Sequence, residues 1–227
     1  MKLGNRLTRT LIALALSAGL GMSAAQAQLS PQLGIQIDIG QALRGEATQV
    51  TSAQGRATGS ATAIGPIADD ETPGIDLLLQ SYAPEQRDAA RQSMIDMLDT
   101  FAITAEKLDT PARDIASGIA ALIAGGHAAY TNTPFHDPYF KPLAAQVQQA
   151  LASNPDVANL SRSDKIALYQ VLTVSGMFLQ LMQLELQKQP DPTAVANLRD
   201  MAHTTVRDAL GLDLATMSFG PDGVTIR

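Results

Sequence analysis

The sequence predicts a mainly all-α protein, in which a five-helix bundle surrounds a central buried helix. A disordered N-terminal tail precedes the bundle, and a small C-terminal β-hairpin follows it. Residues 161–189 carry no charge between Ile166 and Leu184 and are apolar on every side, which is typical of a helix enclosed by other helices. Further segments repeat apolar residues every three or four positions. The final residues alternate around a Pro-Asp-Gly turn, which indicates a hairpin.

The central segment has a clear start signal. Ser161 can accept a hydrogen bond from a free amide, and Asp164 three residues later completes a capping box. The uncharged run is about as long as a bilayer requires, so a transmembrane helix is the alternative. Glutamine, serine and threonine side chains within the run favour a core helix, because unpaired polar groups are costly in hydrocarbon. We therefore expect no stable membrane span after removal of the N-terminal segment.

Residues 1–27 have the features of a secretory signal peptide. Lys2, Arg6 and Arg9 precede an apolar stretch, and small residues at Ala25 and Ala27 would allow cleavage after Ala27. This segment predicts an exported protein, either periplasmic or secreted. The chain contains no cysteine, so its stability must come from packing and not from disulfides.

The charge of the chain limits its partners. The formal net charge is −6 at pH 7, and loss of the three basic residues in the signal peptide takes it to about −9. This acidity argues against nucleic acid and anionic membrane surfaces as partners.

Residues 28–72 are rich in Gln, Ala, Gly, Ser and Thr, which predicts a flexible tail. Within it, residues 33–39 alternate apolar and polar side chains, the period of a strand with one buried face. This segment is either a short edge strand, which would pair with the C-terminal hairpin or with a partner, or an accidental alternation in the tail. The folded helical domain is predicted to span residues 73–227.

The first helix of the bundle is predicted to begin at Pro84 and to bury one apolar face. The second is predicted to begin with Thr110 as its cap and Pro111 as its first residue. Alanine recurs at every fourth position of this helix: Ala112, Ala116, Ala120, Ala124 and Ala128. Such a ridge lets another backbone come close, and we expect Ser175 and Gly176 of the central helix to receive it.

Gly125 and Gly126 are predicted to bend or end the second helix. A third helix is expected from about Pro142 to Ser153, before the central one. The fifth is expected to begin with Asp191 as its cap and to end at Gly211. Short connections between five helices predict a bundle.

Strong catalytic signatures are absent from the sequence. There is no His-Glu-x-x-His, no Gly-x-Ser-x-Gly, no phosphate-binding glycine loop and no cysteine ligand. These absences predict a non-enzymatic protein without a cofactor. An unrecognised hydrolase acting in the envelope is an alternative, in which Glu106 or Glu185 would serve as general acid.

Four side chains could meet as metal ligands: His127, His136, Asp137 and His203. Their spacing matches no known metal site. The simpler interpretation is that His127 and His203 are surface or half-buried polar residues. His136 and Asp137 would then cap the turn before Pro138.

Four of the nine aromatic residues lie within residues 130–140: Tyr130, Phe135, Tyr139 and Phe140. They could form one wall of an apolar ligand pocket, which would make the protein a carrier of a small apolar ligand or lipid between helices. We favour the interpretation that they anchor a loop over the end of the core, because aromatic side chains bury large areas.

Four short segments carry a resemblance to a known family: LDTPARDIASGIAALIAG, QVQQALASNP, SRSDK and GLDLATMSF. The stretch that contains them, from Leu108 to Ile226, resembles an uncharacterised family of exported bacterial proteins, domain of unknown function 6683. The resemblance implies export, and it brings neither an activity nor catalytic residues. The sequence as a whole predicts an exported interaction module whose partner is another exported protein. Its tail strand would be available to extend a sheet of that partner.

Overall fold

The computed structural model describes residues 39–43, 61–152 and 154–227. The predicted signal peptide, residues 1–27, and residues 33–38 of the predicted tail strand lie outside this part of the chain. The described residues are mainly helical and end in a two-stranded antiparallel hairpin. The predicted fold class is confirmed.

From Pro73 onward, the elements follow one another with short connections. The helices are α1 (Gly40–Leu43), α2 (Pro73–Leu79), α3 (Arg87–Lys107), α4 (Ile115–Thr131), α5 (Phe140–Leu151), α6 (Pro155–Ala158), α7 (Arg162–Lys188) and α8 (Pro192–Leu210). Short 3-10 turns occur at Pro84–Gln86, Asp137–Tyr139 and Leu214–Thr216. The hairpin consists of β1 (Met217–Gly220) and β2 (Gly223–Ile226). Helices α3, α4, α5, α7 and α8 are those that the sequence predicts for the bundle.

Helix α7 is the centre of the bundle. The Ser161 hydroxyl accepts a hydrogen bond from the Asp164 amide at 3.1 Å and donates one to the Asp164 carboxylate at 2.6 Å. Every residue from Ile166 to Gly176 is buried. Within the described ranges, α7 is the one helix long and apolar enough to cross a membrane, and 78% of its most apolar window is buried inside the chain. The central position predicted for this helix is therefore confirmed.

Helices α4 and α7 are in direct backbone contact. A Cβ atom on Gly176 would overlap the carbonyl oxygen of Ala121, and a Cβ atom on Gly125 would overlap that of Gly176. Earlier along both helices, Gly118 lies against Thr173. These contacts advance in the same direction along α4 and α7, so the two helices run parallel.

The predicted close approach of α4 to Gly176 is confirmed, but the backbone at this contact is that of Ala121 and Leu122, which lie beside the predicted ridge from Ala112 to Ala128. The prediction that Gly125 and Gly126 could end α4 is wrong, because the helix continues to Thr131. Both glycines are packing sites, since a Cβ atom on Gly126 would meet the Val206 side chain of α8.

The start of α4 also differs from the prediction. Its cap is Asp114 and not Thr110, because residues 113–115 pair with the chain that precedes the bundle. The Ile64 amide donates to the Arg113 carbonyl at 3.3 Å, and the Ile115 amide donates to the Thr62 carbonyl at 3.0 Å. A partner about fifty residues earlier in the sequence therefore decides where α4 begins.

Residues 39–43 and 61–72 belong to the stretch whose composition predicts a tail, and the structure places them against the bundle. Ile39, Leu43 and Ile64 are part of the main hydrophobic core. The buried Gln170 amide of α7 donates to the Glu71 carbonyl at 2.7 Å and accepts from the Gly74 amide at 2.8 Å. A few large apolar residues in a polar stretch are enough to fix these parts of the chain to the core.

The C-terminal hairpin packs on α5. Its register runs from the pair Met217 and Ile226 to the pair Gly220 and Gly223. The Gln146 side chain of α5 holds the outer edge of β2: its Nε2 donates to the Val224 carbonyl at 3.0 Å, and its Oε1 accepts from the Val224 amide at 2.7 Å. This support explains how a short hairpin, which is marginal alone in water, is stabilised here.

Candidate functional site

The three histidines lie in separate aromatic contacts. His127 packs against Phe135 and Phe219, His136 packs against Tyr139, and His203 lies near Tyr130. The carboxylate of Asp213 is 3.0 Å from His203 Nε2. No group of three or more His, Cys, Asp or Glu side chains within the described ranges is arranged to hold a metal ion. The described chain therefore does not bring His127, His136, Asp137 and His203 together as a ligand set.

His127 is the most enclosed of these histidines. Its ring centroid is 4.6 Å from that of Phe219 and 6.1 Å from that of Phe135. Its Nδ1 atom is buried and makes no hydrogen bond to any residue that the structure describes. Burial lowers the pKa of the His127 imidazole, because the charged form loses hydration.

We expect acid to weaken the protein partly through His127. The folded-state pKa lies below that of an unfolded histidine, about 6.5, so the stabilisation is present above that pH and is lost as the pH falls below it. Urea denaturation at pH 7.5 and pH 5 should show a smaller acid loss for His127→Leu than for the unsubstituted chain. His136→Leu is the control and should keep the full loss. Equal acid losses in both variants would contradict the role of His127.

The four aromatic candidates do not share one pocket wall. Phe140 is buried in the core, with its ring 6.1 Å from that of Phe101. Phe135 contacts the hairpin through Phe219, with ring centroids 5.1 Å apart. Tyr130 faces α8, where the Arg199 guanidinium lies 4.5 Å from its ring centroid. Tyr139, the fourth candidate, meets the His136 ring edge to face, with centroids 4.6 Å apart.

Two depressions of the described chain lie at the corner between α3 and α4. One depression, the Ile103 groove, is open and has a volume of about 650 Å³. It is lined by Ala102, Ile103, Glu106, Pro111, Ala112 and Arg113, together with Asp109 and Thr110. A second depression, the Lys141 cleft, extends from the same corner towards α5 and has a volume of about 160 Å³. Asp109, Thr110 and Pro111 line both depressions.

The corner is shaped by the end of α3. The Thr110 amide donates to the Ala105 carbonyl at 2.9 Å, and the Asp109 amide donates to the Glu106 carbonyl at 3.0 Å. This is the bond pattern of a Schellman motif, in which the left-handed position is usually glycine. Here that position is Asp109, with φ of 52°. Non-glycine residues held in this conformation cluster at functional sites.

Electrostatics reinforce the position of Asp109. Its Oδ2 lies 2.5 Å from the Lys141 ammonium of α5. The hydrogen bond from Lys141, and then its charge, lower the pKa of the Asp109 carboxyl. Both side chains are largely exposed, so this pair adds little to stability and mainly sets the charge at the mouth of the cleft.

The inner part of the cleft is polar and buried. Asp114 is 2% exposed, and its carboxylate accepts from the Ala116 amide and from the Thr62 hydroxyl, both at 2.8 Å. Ser117 is 1% exposed and lines the cleft. Ser117 therefore brings a hydroxyl group to the lining of the cleft.

Sequence reasoning missed this corner. It singled out Glu106, which is exposed on the rim of the Ile103 groove, and Glu185, which pairs with Lys188 at 3.1 Å on α7. The one feature of the local sequence that indicates this corner is Asp109, an aspartate at a helix end where glycine is usual. The contribution of Lys141, far along the chain from Asp109, has no local signal.

The fold and its corner define a class: a mainly helical bundle with a C-terminal hairpin and an open, charged depression where two helices meet. A family model described as a family of unknown function, DUF6683, matches residues 21–227, so the chain belongs to that family. The match extends well beyond the stretch from Leu108 to Ile226 that carries the resemblance. No curated protein and no solved structure matches the chain.

Proposed function

We propose that this protein is an exported, non-enzymatic domain that binds another exported protein through the Ile103 groove. Support for export comes from residues 1–27. This segment begins with basic residues, continues with an apolar stretch and ends with small residues before the expected cleavage point. The observation that carries the binding role is the exposure of Ile103 in an open groove.

Ile103 is 56% exposed, more than any other large hydrophobic residue in the described part of the chain. A single exposed apolar side chain is ordinary, but Ile103 shares the lining of the groove with the apolar residues Ala102, Pro111 and Ala112. An open groove lined by several apolar residues is suited to an extended protein segment.

The charges at the rim define the partner further. Glu106 and Arg113 flank the groove, and no ion pair within the described ranges includes either of them. The partner segment would place an apolar side chain on Ile103, with an acidic side chain towards Arg113 and a basic one towards Glu106. Such complementary charges fix the register of a docked segment.

The packing of the bundle supports this role over that of a carrier. A ligand held between α4 and α7 would have to separate helices whose backbones touch at Gly125 and Gly176. The aromatic candidates of the loop at residues 130–140 are distributed over four separate contacts. An open surface groove therefore has more support than an internal cavity.

The test is capture of a partner from envelope extract by the immobilised chain, with identification by mass spectrometry. Ile103→Asp should reduce recovery of the identified protein about ten-fold or more, because a buried unpaired charge at the contact costs over 1.4 kcal/mol. Leu184→Asp is the matched control, since Leu184 is the other exposed large hydrophobic residue of the described ranges, at 36%, and lies on α7 outside the groove lining.

Arg113→Glu adds a second criterion, because it reverses one rim charge and leaves the apolar floor intact. It should weaken capture, and the weakening should decrease at high salt. Equal recovery by Ile103→Asp, Leu184→Asp and the unsubstituted chain would overturn the assignment of the groove. Circular dichroism of each variant confirms that the helices are retained.

A further inference from the structure

We infer that Met177, Met182 and Met201, the junction methionines, form a reversible oxidation site. A peroxide converts them to methionine sulfoxide, which loosens α2 and the first half of α3 from α7. The inference goes beyond the protein-binding role and does not depend on the Ile103 groove. The position of the three side chains between two hydrophobic clusters carries the argument.

The hydrophobic core of the described chain consists of two clusters. The main cluster joins α4, α5, α7 and α8 to the hairpin. The second, the α2–α3 cluster, packs residues of α2 and α3 on α7: Ile75, Leu78, Leu79, Ala90, Met94, Met97, Val171, Val174 and Phe178. This second cluster holds α2 and the first half of α3 on the central helix.

Methionines occupy the junction of the two clusters. In the described ranges, four partly buried apolar side chains pack against both clusters, and three of them are methionines: Leu98, Met177, Met182 and Met201. Met94 and Met97 lie within the α2–α3 cluster itself. Five of the six methionines in the described ranges are therefore gathered at or beside the surface along which the two clusters meet.

The exposure of these methionines decides which of them react. The junction methionines are partly exposed, whereas Met94 and Met97 are only 5% and 3% exposed. An oxidant in solution reaches partly exposed side chains without any opening of the fold. The chain contains no cysteine, so methionine thioethers are its only sulfur atoms and no thiol competes for the oxidant.

The reaction needs a peroxide and no group of the protein besides the thioether. The methionine sulfur attacks one oxygen of hydrogen peroxide, so that an S–O bond forms while the O–O bond breaks. Sulfur loses two electrons, and the departing hydroxide takes the proton of the transferred oxygen and leaves as water. The product is methionine sulfoxide, which methionine sulfoxide reductases convert back to methionine.

The modification changes the packing at the junction. Sulfoxide formation turns a flexible apolar side chain into a polar one. The new oxygen lies among apolar side chains of both clusters, where it has no hydrogen-bond donor and disfavours burial. The α2–α3 cluster should separate from the main cluster first, because the three modified side chains are shared between them.

Treatment of the purified chain with hydrogen peroxide, followed by peptide mass spectrometry, tests the site. The initial rate of sulfoxide formation should be about ten-fold or more higher at the junction methionines than at Met94 and Met97, which react only through opening of the fold. Oxidation of the junction methionines should lower Tm by about 5 °C or more. Hydrogen exchange should become faster in α2 and the first half of α3 and stay unchanged in α5.

Substitution by leucine separates oxidation from other damage. Leucine is close to methionine in volume, so the chain with Met177→Leu, Met182→Leu and Met201→Leu keeps the packing but cannot be oxidised at the junction. Peroxide should lower its Tm by less than about 2 °C. Met217→Leu is the matched control, because Met217 lies in the hairpin and packs in the main cluster, and this variant should respond as the unsubstituted chain does.

Reversal completes the test on the unsubstituted chain. Reductases specific for the two sulfoxide epimers should together restore both Tm and the slow hydrogen exchange of α2 and α3. Equal initial rates of oxidation at the junction and the buried methionines would overturn the inference. An unchanged Tm after oxidation of the junction methionines, the same loss of Tm in the triple leucine variant, or a loss that the reductases do not reverse would overturn it as well.

Discussion

Gly176→Ala should lower the free energy of unfolding by about 2 kcal/mol, and Gly176→Val by about 3 kcal/mol. In an ordinary helix interior, alanine in place of glycine would add about 1 kcal/mol of stability. Here the added Cβ atom meets the backbone of α4 at Ala121 and Leu122, and backbone atoms cannot rotate away as a side chain can. The two helices must separate, and the contacts along their whole seam are weakened.

Urea denaturation measures this effect. Gly220→Ala is the control, since a Cβ atom there meets no other atom within 4 Å, and its stability should change by less than about 0.5 kcal/mol. Gly125 faces Gly176, so Gly125→Ala in a Gly176→Ala background should cost clearly less than Gly125→Ala alone. Strict additivity of the two substitutions, or a stabilising Gly176→Ala, would contradict direct backbone contact at this point.

The parts of the fold that the sequence predicts are those with local causes. Ser161 caps α7 through contacts within three residues. Asp191 caps α8 by accepting from the amides of Thr193 and Ala194, and Gly211 ends that helix with φ of 67°. Each of these signals depends on side chains and backbone groups a few residues apart, so it is legible in the sequence alone.

The details that the sequence does not predict have distant causes. Thr110 and Pro111 have the residue types of a helix start, but Thr62 pairs with the backbone at Ile115 and makes Asp114 the cap. The alanine ridge and the glycines beside it are both small, and only the rotation of α4 about its axis decides which of them faces Gly176. Periodicity identifies the buried face of a helix more readily than the residues at its closest contact.

The candidate site illustrates the same limit. The sequence directed attention to histidines and aromatic residues, whose side chains the fold uses for contacts among helices, loop and hairpin. The corner instead depends on the left-handed Asp109, on Lys141 from another helix and on a serine in the first turn of α4. None of these residue types is distinctive alone, so their combination is visible only once the helices are placed.

Two buried glutamines on α7 differ in their hydrogen bonding, and the difference should have a large effect on the free energy of unfolding. Gln170 and Gln183 are 3% and 0% exposed, so both amides have left water. Gln170 bonds to the Glu71 carbonyl and the Gly74 amide, whereas neither Oε1 nor Nε2 of Gln183 has a hydrogen-bond partner in the described ranges. The two side chains have the same size and composition, so substitution by leucine separates the value of the hydrogen bonds from that of burial.

Gln183→Leu should raise the free energy of unfolding by about 1 to 2 kcal/mol, because it removes a buried amide that is desolvated without compensation. Gln170→Leu should lower it by about 2 to 3 kcal/mol, because it leaves the Glu71 carbonyl and the Gly74 amide unpaired beneath α2. Urea denaturation of both variants at pH 7 measures the two changes on one scale. A loss of stability in Gln183→Leu comparable to that in Gln170→Leu would mean that the Gln183 amide is hydrogen-bonded in solution, to water or to residues outside the described ranges. Opposite signs would establish that hydrogen bonding, and not burial alone, decides whether an amide is tolerated in this core.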